Sequence, residues 1–320
     1  MNARARRRRF LWSVAAVVSV LAMPLTFLPA AAAAPGTCGD RWEIAKVVSG
    51  LGQLENLEPD GRGGFYLSGV ERGVIYHVDG ERHVSIVATG LDAPAGLRLV
   101  GSSLYFLTGD GAEANLLQLP TGTLSRLDPA TGHIEQLVRG LTAPNGLLAL
   151  PGGDLLLTRV VILGPSTGIT RYSPATGRLT PNWAPVPSAN GLSFSPDRKA
   201  VYTDNASTGE IYRIPLDAPR AWTTTAARLD PVIAAPDDFQ TTIDGNIYLA
   251  ANFAGTVYRL DPVTGTKCTI ASGLLTPNYP PGPTSVRIAP DGDRLALYVT
   301  ASDGTLYRLR PPRTTNLTPA

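Results

Sequence analysis

After residue 34 the chain has no amphipathic helical pattern. It has no linker or low-complexity stretch before its last few residues, and only two cysteines. Each absence excludes something. Without a helical pattern after it, the run Gly164-Pro-Ser-Thr-Gly168 does not read as the strand-to-helix nucleophile elbow of a serine hydrolase. Without a linker, the length fits one large all-β unit better than a string of domains. A lone pair of cysteines, Cys38 and Cys268, reads as one disulfide in an oxidising compartment. Histidine is scarce as well. His77, His83 and His133 fall in or beside outer strands, where surface roles are expected of them.

Basic tracts are confined to the first 34 residues. Arg4, Arg6, Arg7, Arg8 and Arg9 precede an apolar run from Phe10 to Leu28, then Pro29 and the alanines Ala30 to Ala34. Charged head, apolar middle and small-residue tail are the layout of a secretory signal, here with a twin-arginine pattern. Residues 1–34 are therefore expected to be a leader and 35–320 the exported domain, secreted or held in the cell envelope with no stable membrane association. A retained anchor is the other reading of the apolar run, which is nearly long enough to span. Removing the leader leaves 23 basic and 26 acidic residues, so a formal charge of +2 becomes −3. No basic tract remains to hold nucleic acid.

What is present is repetition. Gly-Leu recurs at Gly50-Leu51, Gly90-Leu91, Gly140-Leu141 and Gly273-Leu274, each time after a short apolar strand. A second motif runs through Ser125-Arg-Leu-Asp-Pro129 and Tyr258-Arg-Leu-Asp-Pro262. Its variants begin at Tyr76, Tyr172, Tyr212 and Tyr307, which makes six copies. Alternating strands such as Ile247-Tyr-Leu-Ala250 lie between the motifs, separated by turns such as Pro290-Asp-Gly292. Units of about 40 to 50 residues with four strands each are propeller blades. The expected fold is an all-β six-bladed propeller. Its C-terminal unit supplies three strands, and the segment Trp42 to Leu51 would add the fourth and close the ring.

Aligning the copies where each inner strand begins gives Glu55, Ala95, Asn145, Asn190, Asp237 and Thr284. Equivalent positions in a propeller encircle the central channel. Glu55, Asn145, Asn190 and Asp237 would then converge as hard oxygen donors suited to a divalent cation, with Ca²⁺ first and Mg²⁺, Mn²⁺ or Zn²⁺ in its place. Read singly, Asn or Asp before Gly is a turn former. Two carboxylates in one narrow channel, however, repel each other unless a cation lies between them.

The segments Ala189-Asn-Gly-Leu-Ser-Phe-Ser-Pro-Asp197, with Tyr202-Thr-Asp204 after it, and Pro236-Asp-Asp-Phe-Gln-Thr-Thr-Ile-Asp-Gly245 resemble blade signatures of the regucalcin/gluconolactonase (senescence marker protein-like) family. The resemblance implies a metal at the top of the channel, held by Glu55, Asn190 and Asp237, with Asn145 close to metal and substrate. Two positions depart from the family pattern. Asp238 stands where Gly is usual, and Ala143 stands where some sugar-lactone hydrolases carry Arg.

The expected activity is metal-dependent hydrolysis of small cyclic esters, with Asp237 and Asn145 catalytic. Substrate contacts are expected from Asn145, Asn205, Asn252, Phe253 and Tyr279, on connections opening at the face where the inner strands begin. Two alternatives stay open: a non-catalytic binding propeller with a structural metal, and a strictosidine-synthase-like enzyme, whose catalytic Glu has no match here. Cys268 in an outer strand of blade five and Cys38 ahead of the closing strand are expected to meet on the rim.

Overall fold

The computed structural model describes residues 37–39, 41–160, 168–229, 235–276 and 282–320. The expected leader, 1–34, lies outside them. No helix among the described residues is long and apolar enough to cross a membrane.

Six four-stranded antiparallel sheets follow one another along the chain. Blade one is β2 (Leu54–Pro59), β3 (Phe65–Gly69), β4 (Val74–Val78) and β5 (Val84–Ala88). Blade two is β6 (Leu97–Val100), β7 (Ser103–Thr108), β8 (Gly122–Leu127) and β9 (Ile134–Leu141). Blade three is β10 (Pro144–Ala149), β11 (Leu155–Arg159), β12 (Ile169–Ser173) and β13 (Arg178–Ala184). Blade four is β14 (Ala189–Phe194), β15 (Ala200–Asn205), β16 (Glu210–Pro215) and β17 (Thr223–Arg228). Blade five is β18 (Pro236–Thr241), β19 (Ile247–Ala251), β20 (Thr256–Leu260) and β21 (Lys267–Ala271).

Blade six takes β22 (Pro283–Asp291), β23 (Arg294–Ala301) and β24 (Leu306–Arg310) from one end of the domain and β1 (Glu43–Val48) from the other. Ile44 pairs with Leu309 and Ala45 with Arg308. This is the expected closure: β1 covers the edge of β24 and becomes the outer strand of the blade. The Cys38–Cys268 disulfide joins the segment before β1 to β21, with Cα atoms 5.0 Å apart. Cys38 N also donates to Thr269 O at 3.0 Å, so the chain end is held on blade five as well as blade six.

Apolar clusters fill the spaces between neighbouring blades, and alternation along the strands explains them. Leu57, Leu97, Leu147, Leu192, Phe239 and Val286, one per inner strand, are all at most 2% exposed and point into six such clusters. At about 25 cal/mol per Å² of apolar surface, these inter-blade layers are the main cohesive force of the ring.

The recurring glycines have a geometric cause. Gly90 adopts φ +71°, and the amide of Leu91 behind it donates to Gly73 O at 3.0 Å. A Cβ on Gly73 would sit 2.3 Å from Leu91 O. The Gly-Leu motif thus latches the end of an outer strand onto a turn glycine of its own blade, as Leu274 N does to Gly255 O in blade five and Leu51 N to Gly304 O in blade six. One feature is absent from the sequence expectation: a helix, α1 (Ala112–Leu117), within the β7–β8 connection. At six residues it is too short to hold itself together and depends on its surroundings.

Candidate active site

A repeated irregularity sets the site at the start of each inner strand. Strand register shifts between Leu54 and Leu57, Pro144 and Leu147, Ala189 and Leu192, Pro236 and Phe239, and Pro283 and Ser285. A bulge of this kind re-aims side chains. It turns two consecutive residues toward the channel before normal alternation resumes. The orphaned bulge amides are capped from the second strand: Asn56 N donates to Ser68 Oγ, Gly146 N to Thr158 Oγ1 and Gly191 N to Asp204 Oδ1.

The backbone just ahead is strained. Ala93, Ala143, Ser188 and Ala235, each two residues before its ring residue, have φ between 40° and 43°. Non-glycine residues in that region cost of order 1 kcal/mol each and collect at functional sites.

Below the bulge the channel is asymmetric. The second channel-facing residue is Gly96, Gly146 or Gly191 in blades two to four and Asn56, Asp238 or Ser285 in blades one, five and six. The glycines are required by the neighbouring blade. A Cβ on Gly146 would lie 2.3 Å from Asn190 O, and one on Gly191 would lie 2.7 Å from Asp237 O. Asn-Gly is thus an inter-blade packing motif here, beyond the turn former it resembles in sequence.

On the other half of the channel the side chains reach across. Asp238 Oδ2 accepts from Asn56 Nδ2 (2.7 Å), Ser285 Oγ (2.8 Å) and Arg287 Nη2 (2.5 Å). Burial pushes its carboxyl up, but Arg287 and Arg98 more than offset this and hold it below the usual carboxylate range. Arg98 in turn donates to Glu58 Oε2 at 2.9 Å. This ion network closes the channel beneath the mouth, and a polar cavity lined by Glu58, Arg98, Gln240 and Arg287 lies at the far end.

At the mouth the expected residues meet in pairs. Asn145 Nδ2 donates to Glu55 Oε1 at 3.1 Å, and Asn190 Nδ2 donates to Asp237 Oδ1 at 3.2 Å. Asn145, Asn190 and Asp237 are buried. Glu55 is half-buried, its open side at the narrow mouth, so the surrounding protein still withholds solvation. Burial pushes Glu55 well above the usual carboxylate range, and Asp110 adds to the rise against the hydrogen bond from Asn145. Burial raises Asp237 in the same way, with Glu55, Asp204, Asp238 and Asp110 all contributing. Asn190 Oδ1 is sealed from solvent with no hydrogen-bond partner. A buried acceptor without a donor, beside two carboxylates that repel each other, fits a hard cation. Among the described residues no three His, Cys, Asp or Glu side chains form a metal cluster by themselves, so such a site depends on the amide oxygens.

Other expected residues are engaged differently. Asn205 Oδ1 accepts from Ser207 N and Thr208 N while Nδ2 donates to Pro187 O and Tyr212 Oη, so its groups are used in the turn after β15. Asn252 Nδ2 donates to Gly282 O and Pro283 O, and its Oδ1 is sealed and unpartnered. Phe253 is 43% exposed. Tyr279 lies outside the described residues.

Asp110 is the residue that sequence reasoning missed. Its Oδ2 accepts from Asn145 Nδ2 at 2.9 Å and its Oδ1 from Asn115 Nδ2 at 2.9 Å. Burial raises its carboxyl to about 7, against those two hydrogen bonds. The signal that could have found it is a second ring. Val70, Asp110, Val160, Asn252 and Ser302 each follow a second strand, and their amides donate to Gln53, Ala93, Ala143, Ala235 and Gly282, each two residues before its blade's ring position. Asp204 was also missed. It is wholly buried, with Oδ2 unpartnered, and burial raises it well above the ordinary value.

No curated protein matches the sequence. Among solved structures, a gluconolactonase from Xanthomonas campestris is 17% identical, with TM-score 0.67 over 89% of this chain and 99% of that one. A luciferin-regenerating enzyme is 16% identical, with TM-score 0.65 over 87% and 98%. Virginiamycin B lyase from Staphylococcus aureus is 12% identical, with TM-score 0.57 over 85% and 99%. Identities this low establish the fold alone, and the three differ in activity, as propellers do. Residues 162–303 match the family described as the SMP-30/Gluconolactonase/LRE-like region, so the resemblance read from the blade signatures holds for this six-bladed propeller.

Proposed function

We propose that the chain is an exported, metal-dependent hydrolase of small cyclic esters. One observation carries the reading: Asn190, whose Nδ2 donates to Asp237 Oδ1, has a sealed Oδ1 with no donor. Glu55 and Asp237, each raised by burial and by the other acidic groups around them, share that mouth. Arg287 is spent on Asp238 one layer below. Glu55, Asn190 and Asp237 would hold the cation, with Ca²⁺ the first choice for an all-oxygen set.

When bound there, a divalent cation supplies electrophilic activation of an ester carbonyl and acidifies water. The protein's own groups do the rest. Asn145 orients substrate at the mouth. Asp237, raised by its surroundings, takes a proton from the attacking water as the C–O bond of the ring breaks. That proton returns to the alkoxide oxygen, giving a hydroxy acid. The ion network below keeps the mouth a dead end, so substrate enters from the loop face.

The test is hydrolysis of a panel of γ- and δ-lactones with and without chelator, alongside melting with added Ca²⁺. The reading expects chelator-sensitive turnover, and a rise in melting temperature that Asp237→Ala abolishes through loss of selective binding to the folded state. A cation-dependent rise with no ester turned over would favour a binding propeller with a structural metal. Absence of both effects would overturn the proposal.

A further inference from the structure

Asn145 has two amide hydrogens, and both are spent. One goes to Glu55 Oε1 at 3.1 Å and the other to Asp110 Oδ2 at 2.9 Å. The reverse orientation would set the amide oxygen against two carboxylates and leave no donor for either. The Oδ1 of Asn145 must therefore face away from both. It accepts no hydrogen bond among the described residues, and unlike the oxygens of Asn190 and Asn252 it is not sealed from solvent.

Asp110 is itself anchored, which makes it more than an incidental neighbour. Its backbone amide donates to Ala93 O at 3.2 Å, and its second carboxylate oxygen accepts from Asn115 on α1. Helix α1 is tied down in turn, because Gln118 Nε2 donates to Asn115 O and Arg159 Nη2 donates to Gln118 Oε1, both at 2.5 Å. The chain of contacts runs from blade three through the short helix of blade two to the mouth of the channel. Glu55 alone would occupy one amide hydrogen and leave the other free to serve a substrate acceptor. Asp110 removes that second donor.

We propose that Asp110 is a positioning residue that locks the Asn145 amide with its oxygen toward the channel mouth, so that the site accepts a hydrogen bond from substrate and selects lactones bearing a hydroxyl group. The selectivity half rests on the lactonase reading, whereas the positioning half does not. A lactone hydroxyl near the carbonyl donates to Asn145 Oδ1, and an unsubstituted lactone leaves that acceptor unmet.

The experiment uses the exported domain carrying Asp110→Asn, an isosteric change whose new amide can donate to Asn145 Oδ1 and let it turn. The Asn145 side-chain amide is followed by ¹⁵N NMR and assigned by its loss in Asn145→Asp. In parallel, kcat/KM is measured for D-glucono-1,5-lactone and for δ-valerolactone. The expected result is a shifted Asn145 signal, at least one amide hydrogen exchanging on the order of tenfold faster, and a ratio of the two kcat/KM values reduced about tenfold, the worth of one hydrogen bond. An unmoved amide signal overturns the proposal, and so does a moved signal with an unchanged ratio. If the unmutated protein hydrolyses neither lactone, the lactonase reading falls, and the amide signal alone decides whether Asp110 positions Asn145. Should Asp110→Asn fold poorly, Asn115→Ala frees the carboxylate while keeping its charge and is expected to move the same signal by less. No movement there counts against the proposal equally.

Discussion

Replacing Asp238 by alanine removes the acceptor at the centre of the channel. The carboxylate takes hydrogen bonds from Asn56, Ser285 and Arg287, and its ion pair with Arg287 involves side chains only 4% and 5% exposed. After the change Asn56 and Ser285 can still meet, since they already lie 3.4 Å apart. Arg287 fares worse. The next carboxylate is Glu58, 3.9 Å from its Nε and already bonded to Arg98, so relief is partial. Breaking a buried pair by removing one partner costs about 3–5 kcal/mol, and the partial relief from Glu58 puts the expected loss near the lower figure, about 3 kcal/mol. For a domain of this size that corresponds to roughly 6–12 °C in melting temperature, taking about 2–4 °C per kcal/mol.

The discriminating assay is a double-mutant cycle by urea denaturation with Asp238→Ala, Arg287→Met and both together. The double variant has no buried charge left unpaired, so it is expected to recover at least about 2 kcal/mol relative to the sum of the single losses. A single-variant loss below about 1 kcal/mol, or losses that simply add, would refute the reasoning, because a pair that matters must show coupling. In the sequence Asp238 reads only as a departure from the glycine usual at its position. In the structure it is the counter-ion of Arg287, so Asp238→Ala is expected to disturb the mouth through the charge it leaves behind.

Two further outcomes are expected. Cys268→Ser, or reduction of the protein, is expected to lower stability by about 2–4 kcal/mol in urea, because the bridge spans 230 residues and restrains the closing segment. Equal denaturation midpoints with and without reductant would contradict this. Acid sensitivity is expected from Asp291, whose oxygens accept from Arg310 Nε at 2.7 Å and Arg308 Nη1 at 3.2 Å across blade six. Burial pushes that carboxyl up, but the two arginines more than offset it, so its folded value is depressed. A depressed carboxylate contributes stability above the unfolded value near pH 4 and loses it as pH falls through the folded one. The stability gap between the unmutated protein and Asp291→Asn is expected to shrink below about pH 4, and a gap constant with pH would exclude the pairing as its source.

Repetition made the architecture readable without coordinates. Six copies of a Tyr-Arg-Leu-like strand and a recurring Gly-Leu can fold only as equivalent units. The leftover strand at Glu43–Val48 had only the incomplete C-terminal unit to join, and the disulfide followed from the same count. Equivalence also placed Glu55, Asn145, Asn190 and Asp237 on one ring, because a periodic fold converts sequence register into spatial position. What sequence could not decide depends on contacts between unlike units. Asp110 touches Asn145 across a blade boundary, from a connection that carries a short helix of its own. Asp238 looks like a stray substitution for glycine until Arg287, 49 residues away, is seen to neutralise it. Asn205 reads as a rim residue until its side-chain hydrogen bonds are found already spent on Ser207 and Thr208 of its own turn and on Pro187 and Tyr212. Periodicity specifies where a backbone goes. Which polar atoms are left unpaired at the channel mouth depends on the partners brought there by different blades, and only the assembled ring sets those.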